Sequence, residues 1–140
     1  MIKKPIIMYD RIKNSFDKQG IMKTIGACLE DVQQGEVKIT CKFSENLTQH
    51  NGFFHAGVLT TIVDSACGYA ALTTMPENSN VLTVEFKVNF MKPANTDKLV
   101  AIGKVLNAGR TLTICEGYVY DQKEEKLIAK MTATMIAIPS

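Results

Sequence analysis

Apolar and polar side chains alternate along several stretches of this chain, which is the pattern of a strand with one buried face. The clearest stretch runs from Leu82 to Phe90 and is closed by Pro93, because proline cannot donate a ladder hydrogen bond. A hairpin signal at residues 107–109 joins two further stretches. The alternation predicts strands over residues 35–43, 82–90, 98–106, 110–120 and 126–138.

Two other segments repeat their apolar residues every three or four positions, which predicts helices. The first covers residues 5–18, is expected to end at Gly20, and has the apolar positions Ile6, Tyr9, Ile12 and Phe16. The second covers residues 56–73, and its apolar face consists of Val58, Leu59, Ile62, Val63, Ala66, Tyr69 and Ala70. A helix, a strand, a long helix and four consecutive strands predict an α+β fold with a largely antiparallel sheet.

The long helix lies in a segment that is almost free of charge. Between Glu45 and Glu77, Asp64 is the only residue with a full charge at neutral pH. With 21% of the chain charged, the 31 residues from 46 to 76 would ordinarily hold about six or seven such groups. A buried carboxylate must be paired, hydrogen-bonded or shifted in pKa, and such groups cluster at functional sites. Asp64 is therefore the first candidate for a catalytic or ligand-facing acid.

The helix face around Asp64 carries only small, uncharged side chains. Its other members are Gly57, Thr60, Thr61, Ser65 and Gly68. A helix face in water ordinarily carries Lys, Glu, Arg or Gln, so we expect a partner or a ligand to cover this one. Ser65 and Gly68 are the candidate substrate contacts on it.

The start of the same helix offers a second kind of chemistry. Its first backbone N–H groups, from Ala56 and Gly57, have no partner within the helix and can stabilise a developing oxyanion. However, Ala56 and Asp64 are eight residues apart, which is about 12 Å along one helix axis. They cannot both reach the same carbonyl group. If both act in one reaction, the donors come from one subunit and the acid from another, which predicts an oligomer with its site at the interface.

Composition limits the remaining possibilities. The 140 residues are expected to form one domain over residues 1–140, with a helical segment at residues 1–20. The 16 basic and 14 acidic residues are spread along the chain, which argues against a nucleic-acid surface. The four cysteines show no metal-ligand spacing. With no secretory signal and no membrane-spanning run, they indicate reduced thiols in a cytoplasmic protein.

Three segments together carry a family resemblance: QHNGFFHAGVLTTIVDSACGYAAL, VEFKVNFMKPA and NAGRTL. They resemble the acyl-CoA thioesterases of the phenylacetate-degradation (PaaI-like) type, over roughly residues 35–138. The resemblance implies the hotdog fold, in which a curved antiparallel sheet wraps a long central helix. It also implies a homodimer or a dimer of dimers (a homotetramer), with catalysis at the dimer interface. The implied reaction hydrolyses an acyl- or aryl-CoA thioester to the free acid and CoA, with no metal and no other cofactor.

The resemblance also implies roles for individual residues. Asp64 matches the catalytic acid, which either attacks the thioester carbonyl or activates water. Ala56, followed by Gly57, matches the helix start whose N–H polarises that carbonyl, although the family usually has glycine in place of this alanine. The remaining matches are His55 for the motif histidine, Gln49 for the amide that positions the thioester or the water, Thr83 for a hydroxyl that helps to hold the water, and Gly109, Arg110 and Thr111 for a segment near the nucleotide end of CoA.

Other interpretations stay open at this point. Asp64 could be hydrogen-bonded to nearby hydroxyl groups without acting in catalysis, His55 could only brace the helix start, and Arg110 could be a solvated turn residue. A β-hydroxyacyl thioester dehydratase or hydratase would instead pair His50 with Asp64, fourteen positions further on. A non-catalytic acyl-CoA-binding protein is the third possibility.

Overall fold

The computed structural model describes residues 3–140, with side chains from residue 8 onward, so the predicted contribution of Ile6 lies outside the described residues. Three α-helices are present: α1 (Lys3–Lys18), α2 (Gly20–Ile25) and α3 (Ala56–Leu72). The six strands are β1 (Ala27–Gln33), β2 (Glu36–Lys42), β3 (Ser79–Phe90), β4 (Lys98–Ala108), β5 (Leu112–Tyr120) and β6 (Leu127–Pro139). They form one sheet in the order β1-β2-β4-β5-β6-β3, and every neighbouring pair is antiparallel. The predicted α+β class is confirmed.

Two elements were not predicted from the sequence, β1 and α2. A bulge between Leu29 and Asp31 interrupts β1, so its apolar residues do not keep a period of two. The prediction that Gly20 ends the first helix is wrong, because Gly20 opens α2. The helix-ending glycine is Gly26, which caps α2 at φ 75°, a left-handed conformation that glycine adopts at little cost.

Helix α3 packs across the sheet and contacts all six strands. Six strands span about 24 Å, more than twice the diameter of a helix, so the sheet must curve around α3 to keep these contacts. All seven residues of its predicted apolar face are buried. The helix approaches β4 and β5 closely over Gly103 and Gly117, where an added Cβ atom would collide with the backbone of Ala66 and with the side chains above Gly117.

Strand β3 forms one edge of the sheet and pairs, among the described residues, only with β6. Four of its apolar side chains are exposed in a single chain, from 43% at Phe86 to 54% at Leu82, whereas Val81 and Val88 are partly buried. A bulge between Thr83 and Glu85 shifts the alternation by one residue. As a result Thr83 and Phe86 lie opposite Met135 and Ala133, two buried residues of β6 that face α3.

Helix α1 runs antiparallel to α3 and is fastened to it by a line of polar residues four positions apart. Arg11 donates hydrogen bonds to the carbonyl groups of Leu72, Met75, Pro76 and Ser79, at and beyond the end of α3. One turn later Ser15 pairs with the hydroxyl of Tyr69, and after another turn Gln19 reaches Tyr69 and Ser65. Ile12 and Phe16, on the neighbouring apolar face of α1, are buried, while Tyr9 remains 37% exposed.

Candidate active site

The start of α3 leaves one backbone donor free. His55 is the N-cap residue, and its ring Nδ1 accepts a hydrogen bond of 2.8 Å from the N–H of Gly57. Gly57, predicted as a second oxyanion donor, is therefore already engaged. The N–H of Ala56 has no acceptor among residues 3–140, and Ala56 is exposed. No acidic residue lies in the first turn, so nothing there neutralises the positive end of the helix dipole.

Gln49 adds a side-chain donor beside Ala56. Its Oε1 accepts hydrogen bonds from the backbone N–H groups of Asn51 and Phe53, which fixes the orientation of the amide. The Nε2 group has no partner among the described residues. A cavity of about 290 Å³ is lined by Gln49, His55 and Ala56, with Phe90 and Lys92 from the neighbouring segment. The helix-start cavity thus holds two hydrogen-bond donors suited to a carbonyl oxygen.

Asp64 lies in a second, separate cavity of about 370 Å³. The hydroxyl of Thr83 donates a hydrogen bond of 2.8 Å to its Oδ1. Ser65 and Gly68, the predicted substrate contacts, line the same cavity. Thr60 and Thr61 bond back to carbonyl groups of the preceding helical turn, which satisfies their hydroxyls without water. Around Asp64 itself, the cavity therefore has one carboxylate, one hydroxyl that orients it, and the small neighbours Ser65 and Gly68.

Burial raises the pKa of Asp64 above its ordinary value, and the hydrogen bond from Thr83 lowers it in part. Because the pKa is raised by folding, the folded protein binds this proton more tightly than the unfolded chain. The resulting stabilisation is present at low pH and is lost as the pH rises through the raised pKa. A charged Asp64 therefore destabilises the fold at neutral pH, which is typical of groups retained for chemistry.

The two cavities lie at different points along α3 and share no lining residue. Ala56 and Asp64 both lie within α3, so the axial separation of about 12 Å holds. A single chain consequently keeps the two sets of groups apart: donors at the helix-start cavity, and the carboxylate with its hydroxyl at the Asp64 cavity.

Several predicted residues lie elsewhere. Gly109, Arg110 and Thr111 form the exposed turn between β4 and β5 and line neither cavity. His50, the partner that a dehydratase would need, is exposed, contacts the side chain of Asn51, and is absent from the Asp64 cavity. The structure therefore does not bring a histidine to Asp64.

The structure also adds residues that the sequence did not single out. Ser15, Gln19 and Tyr69 line the Asp64 cavity at the end away from Thr83, and Lys92 lines the helix-start cavity. The spacing of Arg11, Ser15 and Gln19 along α1 and the residue after its end was a usable signal, since residues four apart on a helix are neighbours.

Within residues 3–140, no group of three or more His, Cys, Asp or Glu side chains is placed to hold a metal ion. In the same part of the chain, no helix is both long enough and apolar enough to cross a membrane. All four cysteines are free thiols, and only Cys28 is exposed.

Comparison with known proteins places the chain among thioesterases. The model of the thioesterase superfamily matches residues 51–128, more than half of the chain. A thioesterase family protein from Silicibacter pomeroyi has a solved structure that is 41% identical, covers 95% of this chain and 99% of its own, and superposes with a TM-score of 0.90.

Two more distant proteins extend this comparison. The PaaI protein of E. coli, from the phenylacetic acid degradation operon, superposes with a TM-score of 0.86 over 95% of this chain and 94% of its own, at 16% identity. A 1,4-dihydroxy-2-naphthoyl-CoA hydrolase of Listeria monocytogenes is 21% identical over 108 residues, which are 77% of this chain and 88% of that protein. The predicted hotdog fold and the PaaI-like resemblance are confirmed.

Proposed function

Since this chain belongs to the thioesterase superfamily and is a thioester hydrolase, we propose that it hydrolyses acyl-CoA thioesters at a site shared by two copies of the chain. One copy contributes Asp64 and Thr83, and the other contributes the N–H of Ala56 and the side-chain amide of Gln49. The acyl-CoA class is supported by the CoA hydrolase of Listeria monocytogenes. The proposal of a shared site rests on one observation: the acid and the oxyanion donors lie in two separate cavities along the same helix.

The proposed chemistry follows from the groups in each half-site. Ala56 N–H and Gln49 Nε2 bind the thioester oxygen and stabilise the negative charge that develops on it. Asp64 either attacks the carbonyl carbon, so that the C–S bond breaks and CoA leaves as a thiolate, or takes a proton from a water molecule that attacks in its place. Thr83 holds the carboxylate by its Oδ1, which leaves Oδ2 free for either role.

The exposed edge of β3 supports an assembly that could join the half-sites. The strand is 12 residues long, and on the side away from β6 its backbone pairs with no other strand among the described residues, which leaves it available to a second chain. The apolar side chains Leu82, Val84, Phe86 and Phe90 along it, and Met91 just after it, are 43–54% exposed. Long apolar edges of this kind mark association surfaces, and Thr83 lies within the same strand. We propose a homodimer through β3, with a dimer of dimers as the larger assembly.

The test of the acid is Asp64→Asn, measured by release of the CoA thiol from a panel of acyl-CoA and aryl-CoA thioesters. We expect kcat to fall by about 10²–10⁴-fold while the variant folds and binds CoA as the wild type does. Wild-type turnover in a folded Asp64→Asn variant would remove Asp64 from the mechanism. Failure of the wild-type protein to release thiol from any member of the panel would contradict the acyl-CoA substrate class.

The two roles of Asp64 can be separated in heavy-oxygen water. A nucleophilic Asp64 forms an acyl–enzyme anhydride, and water that opens this anhydride at the carboxyl carbon of Asp64 leaves the heavy oxygen in Asp64 after a single turnover. As a general base, Asp64 directs the label only into the released acid. Label in the Asp64 peptide, read by mass spectrometry, therefore identifies the covalent route, whereas label in the acid alone is the result of a general base or of an anhydride opened at the acyl carbon.

The remaining predicted roles stay proposals. The exposed Arg110 in the β4–β5 turn is proposed to meet the phosphate groups of CoA. Arg110→Ala should then raise KM for an acyl-CoA but leave KM unchanged for the matching acyl-pantetheine, which has no nucleotide. The single-domain organisation over residues 1–140 and the cytoplasmic location likewise remain predictions.

A further inference from the structure

The Asp64 cavity has a polar far end that the proposed chemistry does not use. The end of helix α1 covers this part of the cavity, where Ser15 of α1 and Gln19, between α1 and α2, meet Tyr69 of α3. The hydroxyl of Tyr69 lies 2.7 Å from Gln19 Nε2 and 3.0 Å from Ser15 Oγ. Tyr69 is 4% exposed, so its orientation is set by packing and by these two bonds. The far end is therefore a preformed polar wall about one and a half helical turns from Asp64.

This wall retains hydrogen-bonding capacity after its internal bonds are formed. A glutamine amide has one carbonyl oxygen and one NH₂ group, and only one of these can face the hydroxyl of Tyr69. The other amide atom, Oε1, has no partner among the described residues. No buried polar side-chain atom in that part of the chain lacks a partner, so the free atom is accessible rather than sealed in the core. The hydroxyl of Ser15 also has an unused lone pair.

The other walls restrict what this capacity can recognise. Leu72, Val81, Met135 and Ile138 make most of the sides apolar, Asn80 adds one amide, and Asp64 is the only charged residue among the described side chains that lines the cavity. A carboxylate or phosphate on the acyl group would be repelled by Asp64, and no cation among those side chains lines the cavity to offset the repulsion. A cationic group would neutralise the carboxylate that the reaction needs. The chemistry that fits is a neutral hydroxyl at the end of a short apolar segment, because a hydroxyl can both donate and accept.

We infer that the Asp64 cavity holds the acyl group of the substrate and that Ser15, Gln19 and Tyr69 select acyl groups that carry a neutral hydroxyl at their far end. The inference rests on the proposed hydrolysis of acyl-CoA. The cavity volume of about 370 Å³ in a single chain lies at the lower end of small-molecule sites, which suits an acyl group of modest size. These residues determine specificity, whereas Asp64 performs the chemistry.

The test compares pairs of substrates that differ by one hydroxyl: hexanoyl-CoA with its ω-hydroxy derivative, and phenylpropanoyl-CoA with its para-hydroxy derivative. For the wild-type protein we expect kcat/KM to favour the hydroxylated member of at least one pair by about five- to tenfold, the worth of one good hydrogen bond. In Gln19→Met, which keeps the length of the side chain but not its polar atoms, the ratio should fall to near one. The fall should come from the hydroxylated substrate, with the plain substrate unchanged. Ser15→Ala should reduce the same ratio in part.

Gln33→Met is the matched control, because Gln33 is exposed on β1, bonds Asp31 and lies away from the cavity. The inference would be overturned if the ratio of kcat/KM for the hydroxylated substrate to kcat/KM for the plain one were near one in the wild-type protein. It would also be overturned if Gln19→Met left this ratio unchanged from the wild type. If the polar wall held the pantetheine arm, or only fastened α1 to α3, Gln19→Met would change kcat/KM for both members of a pair equally. That result would also overturn it.

Binding to Asp64→Asn separates this inference from the proposed hydrolysis. Dissociation constants for the intact substrate pairs should show the same preference in Asp64→Asn and lose it in Asp64→Asn with Gln19→Met. Turnover without any hydroxyl preference would leave the hydrolase proposal intact and remove the role of Gln19. A hydroxyl preference in binding, with no turnover by the wild type, would support the role of Gln19 and contradict the hydrolase proposal.

Discussion

Replacing Ala56 with proline removes the one free donor at the start of α3 and leaves the helix in place. Ala56 is the first helical residue, where the backbone N–H has no intrahelical acceptor and where proline is well tolerated. The preceding residue, His55, has φ −65° and ψ 140°, an extended conformation that a residue before proline readily adopts. The capping bond from Gly57 to His55 and the bond from Thr60 to the carbonyl of Ala56 do not involve the lost hydrogen.

These contacts determine the expected magnitudes. Since no protein hydrogen bond is lost, the free energy of unfolding should change by no more than about 0.5 kcal/mol. Losing one oxyanion donor should lower kcat by about 10²–10³-fold, or about 2.7–4 kcal/mol of transition-state stabilisation, with Gln49 as the remaining donor. Thiol release at saturating acyl-CoA measures kcat, and thermal unfolding of the same sample measures stability.

The matched control is Ala56→Val, which adds a side chain of similar size but keeps the N–H. It should retain most of the wild-type kcat. A folded Ala56→Pro with kcat within about threefold of wild type would refute the donor role. Equal losses in Ala56→Pro and Ala56→Val would attribute the effect to crowding in the helix-start cavity instead.

The same variant tests whether the half-sites come from different chains. Ala56→Pro and Asp64→Asn, each nearly inactive alone, should recover activity when they are co-expressed and assembled into mixed dimers. Random pairing places one intact site in half of the dimers, so about one quarter of the wild-type activity is expected. No recovery in verified mixed dimers would place the acid and the donors of each site in one chain.

Four further outcomes follow from the structure. Thr83→Val should move the low-pH limb of the pH profile of kcat/KM to higher pH, because the charged form of Asp64 loses its hydrogen bond and the pKa of Asp64 rises further. Thr83→Ser keeps the hydroxyl and should leave this limb at the pH of the wild type. Asp64→Asn should raise the melting temperature at pH 7 by more than at pH 4, and an equal shift at both would contradict the burial argument. Gly103→Ala should lower the free energy of unfolding in denaturant by about 3 kcal/mol or more, since the added methyl would meet the backbone of α3. The control Gly20→Ala adds a methyl that meets nothing within 4 Å, so it should be neutral or slightly stabilising. Phe86→Lys should yield monomers in light-scattering chromatography with little turnover, and a fully active monomer would exclude the shared site.

Much of the fold was predictable because its signals are local. The apolar period of α3 and the alternation in β2, β4, β5 and β6 depend only on which residues face the core, and the predicted bounds agree with the structure to within two residues. The failures have local causes as well. The bulge in β1 broke its alternation, and α2 is only six residues long, which is too short for a periodic pattern to be seen.

The candidate site was predictable in part. The isolated charge of Asp64 and its distance from Ala56 are properties of the sequence. The prediction that the two groups come from different chains, if both act in one reaction, could therefore be made without a structure. Simple alternation predicts that Thr83 lies on the opposite face of β3 from Phe86. The bulge between Thr83 and Glu85 puts both on the face toward α3, where Thr83 reaches Asp64. Gly57 was predicted as a donor because a sequence does not reveal that the ring of His55 already accepts its N–H.

The identity of the lone charged residue, the helix that carries it and its distance from the helix start can all be read from the sequence, because they follow from composition and the rise per residue of a helix. The groups that surround that charge are known only from the folded chain. Residues distant in the chain, Thr83 on β3 and Gln19 after α1, reach the Asp64 cavity through strand register and helix docking. Those arrangements depend on long-range packing, which no local pattern specifies.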